Sequence, residues 1–419
     1  MFLISANAVL FLESRFKMPV FRKNRIKLSN KFLIYVFIII TISLGTFLVL
    51  HNFHSKHAEE IEVVLGDKTA PLKKIETAYY DLNVYRIKNY LPEGHLEVIK
   101  ENGRDVELLY LTLASPTKLM SINVNNNSGV IKKRVLGEIN DSFRGGDILI
   151  SSSLKKIFIS YISVDGVGCA SVNVGELSSN YQSSFALKSI FKTPCFMPPY
   201  GLHQSGLKMA EDNFGNLYLA VGDFQKPYLA QDDTSFLGKI LIKTPKTNKF
   251  SIFSKGHRNP QGLYFDQEKA RLVETEHGPA GGDEINLIRR GANYGWPFVT
   301  YGKPHGQAEI EWFSKNSFAR YGNHDNYAKP VYSFVPSIGI KAITKVKPNS
   351  EASLWANNYL LVSGASASLF LIKMEGEAVM FSERIPIFRK SLRDLAVTND
   401  GTIFISAEDF FVIKPSATP

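Results

Sequence analysis

From about residue 76 the chain returns to one phrase: an acidic or amide turn with glycine, then an alternating apolar strand that ends on a polar or acidic residue. EDNFGNLYLAVGD (211–223) and TNDGTIFISAED (398–409) show it fully, and DQEKARLVETEHG (266–278) and SSLKKIFISYISVDG (152–166) show it loosely. Val-, Ile-, Tyr- and Phe-rich runs bounded by turn residues are the signature of short strands. Further runs of this kind are ELLYLTL (107–113), KILIKT (239–244), NYLLVSG (358–364) and SLFLIKM (368–374). Copies of the phrase stand several tens of residues apart, the scale of a propeller blade rather than of a sandwich strand. The expected fold is all-β, a β-propeller of about six blades over 76–416, at roughly 50–60 residues per blade. No long amphipathic helix is expected, and no linker divides this body.

The chain before the propeller has a different character. Phe32 to Leu50, FLIYVFIIITISLGTFLVL, carries no charge and is long enough to cross a bilayer as one helix. Arg15, Lys17, Arg22, Lys23, Arg25, Lys27 and Lys31 precede it against one acid, Glu13. The positive-inside bias then puts 1–31 in the cytoplasm as a basic tail and the body outside, periplasmic or extracellular. A signal-anchor at 32–50 is expected, with a cleaved signal peptide as the alternative and Met18 as an alternative start. Residues 51–75 are polar and read as a linker. The formal charge of +10 is mostly this tail, since the rest carries +4, so no nucleic-acid footprint is implied.

Two cysteines occur, Cys169 and Cys195. An exported body permits a disulfide between them, and two small buried thiols are the equal alternative.

Three segments concentrate chemistry. In GHRNPQGL (256–263), Arg258 offers a fixed cation with a planar fork of donors, and Asn259 is held extended by Pro260. The plain alternative is a turn stapled by an arginine salt bridge. In EHGPAGGDE (276–284), turn carbonyls and carboxylates are the hard oxygen donors calcium prefers, or Asp283 and Glu284 simply pair with Arg289 and Arg290. In GLHQSG (201–206), His203 sits in a glycine-flanked loop, where a general base could reach a ligand, though a lone histidine is commonly structural.

Taken together, GHRNPQGLYF, EHGPAGGDEINLI, GANYGWP, HQSGLKMAEDNFGNLYLAVGD and QDDTSFLGKILI resemble the glucose/sorbosone dehydrogenase family, which includes soluble quinoprotein glucose dehydrogenases and aldose sugar dehydrogenases. The resemblance is specific from about 200 to 302 and weaker from 330 to 415. It implies a six-bladed propeller of four-stranded antiparallel blades that holds pyrroloquinoline quinone (PQQ) and Ca²⁺ over the channel. The implied activity is oxidation of an aldose sugar at its anomeric hydroxyl, with electrons passed to an unidentified acceptor. His203 matches the general base. Arg258 and Asn259 match residues at the quinone oxygens, with Arg258 stabilising developing charge. The Gly278 and Pro279 carbonyls match ligands of the cofactor calcium, and Glu284 and Tyr294 match a structural calcium site.

Two positions depart from the family pattern. Ser366 stands where a lysine is usual, and Ser391 replaces the first arginine of Arg-x-Arg-Asp, while Arg393 keeps the second. PQQ carries three carboxylates, so each lost charge-assisted contact is worth ~1.5–3 kcal/mol. Lys341, Arg389 and Lys390 are the cations placed to compensate. The alternative reading is a catalytically inactive propeller that binds a glycan or protein partner outside the membrane.

Overall fold

The computed structural model describes residues 61–64, 71–87, 91–102, 105–125, 130–316, 320–347, 353–387 and 391–416. The expected basic tail and the apolar stretch 32–50 lie outside these, as do Arg389 and Lys390. Among the described residues no helix is long and apolar enough to cross a membrane.

Six antiparallel sheets form the body, each with its first strand innermost. The inner strands are Gly94–Asn102, Ser142–Ser151, Gly206–Glu211, Pro260–Asp266, Ile340–Lys345 and Leu392–Val397. Each lies beside the next, and the last returns to the first, so they line a closed channel. The sixth blade is composite. Its C-terminal strands Leu392–Val397, Ile403–Ala407 and Phe410–Ser416 are joined by Asp81–Ile87, which pairs antiparallel with Phe410–Ser416. The six-bladed, four-stranded antiparallel expectation is thus met.

Burial explains the strand patterns. A blade packs against a neighbour on either face, so middle strands such as Leu217–Val221 and Ile403–Ala407 are buried at every position. Outer strands such as Leu187–Lys192 are largely open to solvent and show no such run. The core is correspondingly divided into seams between adjacent blades. Leu217, Leu219 and Leu241 meet Phe158, Ile162 and Val172 in one seam, and Leu392, Leu395 and Phe411 meet Leu360, Val362 and Leu371 in another. Each fully buried aliphatic or aromatic side chain contributes about 1.5–3 kcal/mol, so the ring is held mainly by these seams.

The repeated phrase is the turn between the first and second strands of a blade. In the third blade Asp212 Oδ1 accepts from the backbone N–H groups of Phe214 and Asn216, both at 2.9 Å, and Gly215 takes φ +75. In the sixth, Asp400 Oδ1 accepts from Thr402 N at 3.0 Å beside Gly401 at φ +79. An acidic side chain that closes its own turn, followed by a left-handed glycine, is why the phrase recurs.

One expectation needs correction. The stretch 51–75 contains strand Ile61–Val64, paired to Val130–Ile139 at the edge of the first blade, and most of strand Lys73–Glu76, paired to Asp81–Ile87. Each of these strands is only four residues long, too short to stand out as a strand pattern. An α-helix, Gln307–Lys315, also occurs, within the long excursion from Asp283–Ile288 to Tyr332–Phe334 in the fourth blade.

Candidate active site

Pairing slips at the head of five inner strands, between Ser142/Arg144, Gly206/Met209, Pro260/Gly262, Ile340/Ile343 and Leu392/Asp394. Such bulges bend a strand and re-aim its side chains. Lys341 and Arg393 lie inside two of them. Around one end of the channel each blade therefore presents one residue at or just before its inner strand: Glu93, Arg144, His203, Arg258, Lys341 and Arg393.

The charges are unbalanced. Arg393 Nη2 donates to Glu93 at 2.9 Å, while its Nε is buried without a partner. Arg144 Nη1 donates to the Leu202 carbonyl at 3.2 Å, next to His203. Lys341 reaches only Gln261 Oε1, at 3.4 Å, among the described residues. Burial, then the repulsion of Arg393 and Arg144, pushes the Lys341 ammonium down to about 7. His277 stands among Lys341, Arg258 and Arg393. Its ring is held well below the usual range by burial and then by Lys341, and its Nε2 has no partner. Three mutually repelling cations, one carboxylate and an unused arginine donor make a mouth suited to an anionic ligand.

Arg258 is engaged from within. Its Nε and Nη2 donate to Glu309 Oε1 at 2.7 and 2.6 Å, and Nη1 donates to the carbonyls of His277 and Gly278, both at 2.9 Å. The guanidinium also lies 5.5 Å from the Trp296 ring centre. Glu309 comes from the helix Gln307–Lys315 and accepts as well from Gln204 Nε2, at 3.1 Å, and from His305 N, at 2.8 Å.

The expected site residues are divided by this arrangement. His203 is exposed, on the loop tied to Glu309 through Gln204. Asn259 is buried, with its Oδ1 accepting from Gln261 Nε2 at 2.8 Å. Pro279 O accepts from Ser337 Oγ at 3.2 Å, so both carbonyls expected to ligate calcium already serve protein donors. Glu284 and Tyr294 are not brought together by their polar atoms: Glu284 Oε2 accepts from Asn286 at 3.3 Å, and Tyr294 hydroxyl donates to the Leu287 carbonyl at 2.5 Å. Ser366 is bonded to Ser363, whereas Ser391 lies near Lys341, with only Gly364 between them. A cation therefore stands beside one serine replacement. Glu93, Arg144 and Glu309 carried no sequence signal of a site; Glu309 was obscured by a helix whose N-cap, Gly306, makes no side-chain hydrogen bond.

Below the mouth the channel is polar. Lys208 Nζ donates to Asp147 at 2.9 Å and Asp394 at 2.8 Å, and His95 Nδ1 bonds the same Asp394 oxygen at 2.8 Å. Burial works against the Lys208 charge, but Asp147 and Asp394 outweigh it and hold the ammonium above its usual range. Cys169 and Cys195 form a disulfide, with Cα atoms 5.6 Å apart, at the base of the segment that leads to His203.

Comparison with known proteins bears on this geometry. A family profile described as Glucose / Sorbosone dehydrogenase matches residues 122–410. The aldose sugar dehydrogenase YliI of Escherichia coli (strain K12) is 26% identical over 273 residues, covering 61% of this chain and 71% of that protein. Quinoprotein glucose dehydrogenase B of Acinetobacter calcoaceticus is 27% identical over 284 residues, covering 49% of this chain and 59% of that protein. The PQQ-bound structure of aldose sugar dehydrogenase from Streptomyces coelicolor superposes with a TM-score of 0.57 at 19% identity, over 86% of this chain and 99% of the other.

Proposed function

Since the chain belongs to the glucose/sorbosone dehydrogenase family, we propose that it oxidises an aldose at the anomeric hydroxyl, with PQQ bound at the channel mouth. The observation that carries this is the cluster of Arg144, Lys341 and Arg393 around a single carboxylate, Glu93. A planar ligand with three carboxylates fits that imbalance, and the unpartnered Arg393 Nε provides a further donor. When bound, PQQ supplies the hydride acceptor.

The protein's own part is to bind, orient and take a proton. His203 is exposed and so can meet a sugar from solvent, taking the hydroxyl proton on a ring nitrogen and releasing it to water. Arg258 and Asn259 define the adjoining wall. Calcium does not fit the Gly278 and Pro279 carbonyls while the Arg258 guanidinium holds the first of them, so no step is assigned to it. A body outside the membrane, anchored through 32–50 and passing electrons to a separate acceptor, accords with the disulfide.

The test is reconstitution of the purified chain with PQQ, with and without Ca²⁺, followed by aldose oxidation with an artificial electron acceptor. His203→Ala is expected to lower turnover far more than it weakens PQQ binding. A folded protein with neither a quinone spectrum nor turnover sinks the proposal. One observation favours the second reading, a non-catalytic binder of a glycan or protein partner: Arg258 is already occupied by Glu309. A folded chain that binds a glycan but neither binds PQQ nor turns over any aldose would select that reading.

A further inference from the structure

The fourth blade holds a second polar group that sugar oxidation leaves unused. Alternate residues of a strand share a face, so Glu274 and Glu276 point to one side. The antiparallel register sets Asn286 opposite Glu274 and Glu284 opposite Glu276. All four are buried, Glu274 and Asn286 completely. The fully buried His257 ring stands by this face, stacked on Tyr294 at 4.8 Å between centres. Among the described residues no lysine or arginine side chain pairs with Glu274, Glu276 or Glu284. Buried carboxylates without a counter-ion are strongly disfavoured.

Several polar atoms here are unsatisfied. Glu274 Oε1, Asn286 Oδ1 and His257 Nδ1 are each buried with no hydrogen-bond partner. His257 Nε2 is held by Ser254 Oγ at 2.9 Å, and Nδ1 lies 3.6 Å from Glu276 Oε2, too far for a hydrogen bond. One donor atom each from His257, Glu274 and Glu276 lie within 4.8 Å of one another. Protonating Glu274 removes its charge but leaves Glu276 without a counter-ion. A cation among these three donor atoms answers both carboxylates and the His257 nitrogen at once.

We propose that His257, Glu274 and Glu276 hold one divalent cation inside the fourth blade. An imidazole nitrogen among oxygen donors suits a first-row ion such as Zn²⁺ or Mn²⁺ over Ca²⁺, which takes oxygen alone. The second nitrogen of His257, fixed by Ser254, orients the ring as outer partners of metal-bound histidines do. Glu276 Oε2 also accepts from Arg258 N at 2.7 Å, so an ion here stiffens the backbone beneath the mouth.

The test uses the purified full chain, stripped with a chelator and titrated with Zn²⁺ or Mn²⁺ alone, without PQQ. Elemental analysis is expected to find about one ion per chain, and thermal melting to rise by several degrees at saturating metal, since an ion that binds only the folded state stabilises it. Glu274→Gln keeps the shape and its link to Asn286 but removes one ligand. It is expected to weaken binding at least tenfold and abolish the melting shift. No bound metal and no shift in the wild-type chain overturns the site. So does an ion that Glu274→Gln leaves in place, and so does a chain that binds only Ca²⁺. The wild-type titration stands alone if the variant does not fold.

Discussion

Arg258 donates both Nε and Nη2 to a single carboxylate oxygen of Glu309, at 2.7 and 2.6 Å, and both side chains are buried. The arginine expected to face a cofactor is thus clamped by a helix of its own blade. The same carboxylate holds Gln204, the neighbour of His203, so one residue ties the segment of Arg258 to the segment of His203.

Glu309→Ala leaves Arg258 charged and buried without a counter-ion, a change that costs about 3–5 kcal/mol. Urea unfolding is the measurement. The double variant Arg258→Met, Glu309→Leu is expected to recover most of the loss, because it removes both charges together. A single variant as stable as the wild type means that solvent already compensates the guanidinium.

Lys341 sets a pH dependence. Its ammonium is pushed down to about 7 in the free protein, by burial first and then by Arg393 and Arg144. A bound carboxylate favours the charged form and raises that value, so binding takes up a proton. Anion affinity is accordingly expected to be highest at or below pH 7 and to fall as pH rises from there. PQQ titration from pH 6 to 9 reads this directly, and Lys341→Met is expected to bind more weakly and without the slope. An equal slope in Lys341→Met assigns the titration to another group.

The disulfide gives a third expectation. Cys169 and Cys195 are separated by 26 residues, and opening a loop of this size costs about 3–4 kcal/mol. Replacing both cysteines by alanine is expected to lower the melting temperature and to blunt turnover through the segment leading to His203. The wild-type melt is expected to shift the same way in reductant. A reductant-insensitive wild type would show that the bond is not what holds this segment.

In the channel, Lys208→Met strands Asp147 and Asp394 side by side. The cost at neutral pH is about 3–5 kcal/mol, as for other broken buried pairs. It is expected to shrink as the pH falls toward 4, because protonated carboxyls no longer repel. Denaturant titrations at pH 7 and pH 4 check the sign: a cost that grows on acidification contradicts the pairing.

The fold was legible because its turns are local. Asp212 and Gly215 act within a few residues, so their phrase survives as a pattern, and Leu217–Val221 reads as a strand without any knowledge of its neighbours. The mouth was only half legible. Arg258 and Asn259 are marked by proline and glycine around them, whereas Lys341 and Arg393 owe their aim to bulges whose register depends on the partner strand. Glu309 and Glu274 were invisible for a different reason: each matters through a residue distant in sequence, Arg258 in one case and His257 in the other. The edge strand Ile61–Val64, at four residues, is too short to announce itself.

The pairing of Asp81–Ile87 with Phe410–Ser416 has a consequence in time. During synthesis the first of these segments leaves the ribosome long before the second exists. It must wait, unpaired along one edge, until nearly every other blade has been made. The ring therefore cannot finish assembling piecemeal from its beginning. Its last act of folding is a reunion of early and late chain, and the channel mouth, built from all six blades, has no complete form before that moment.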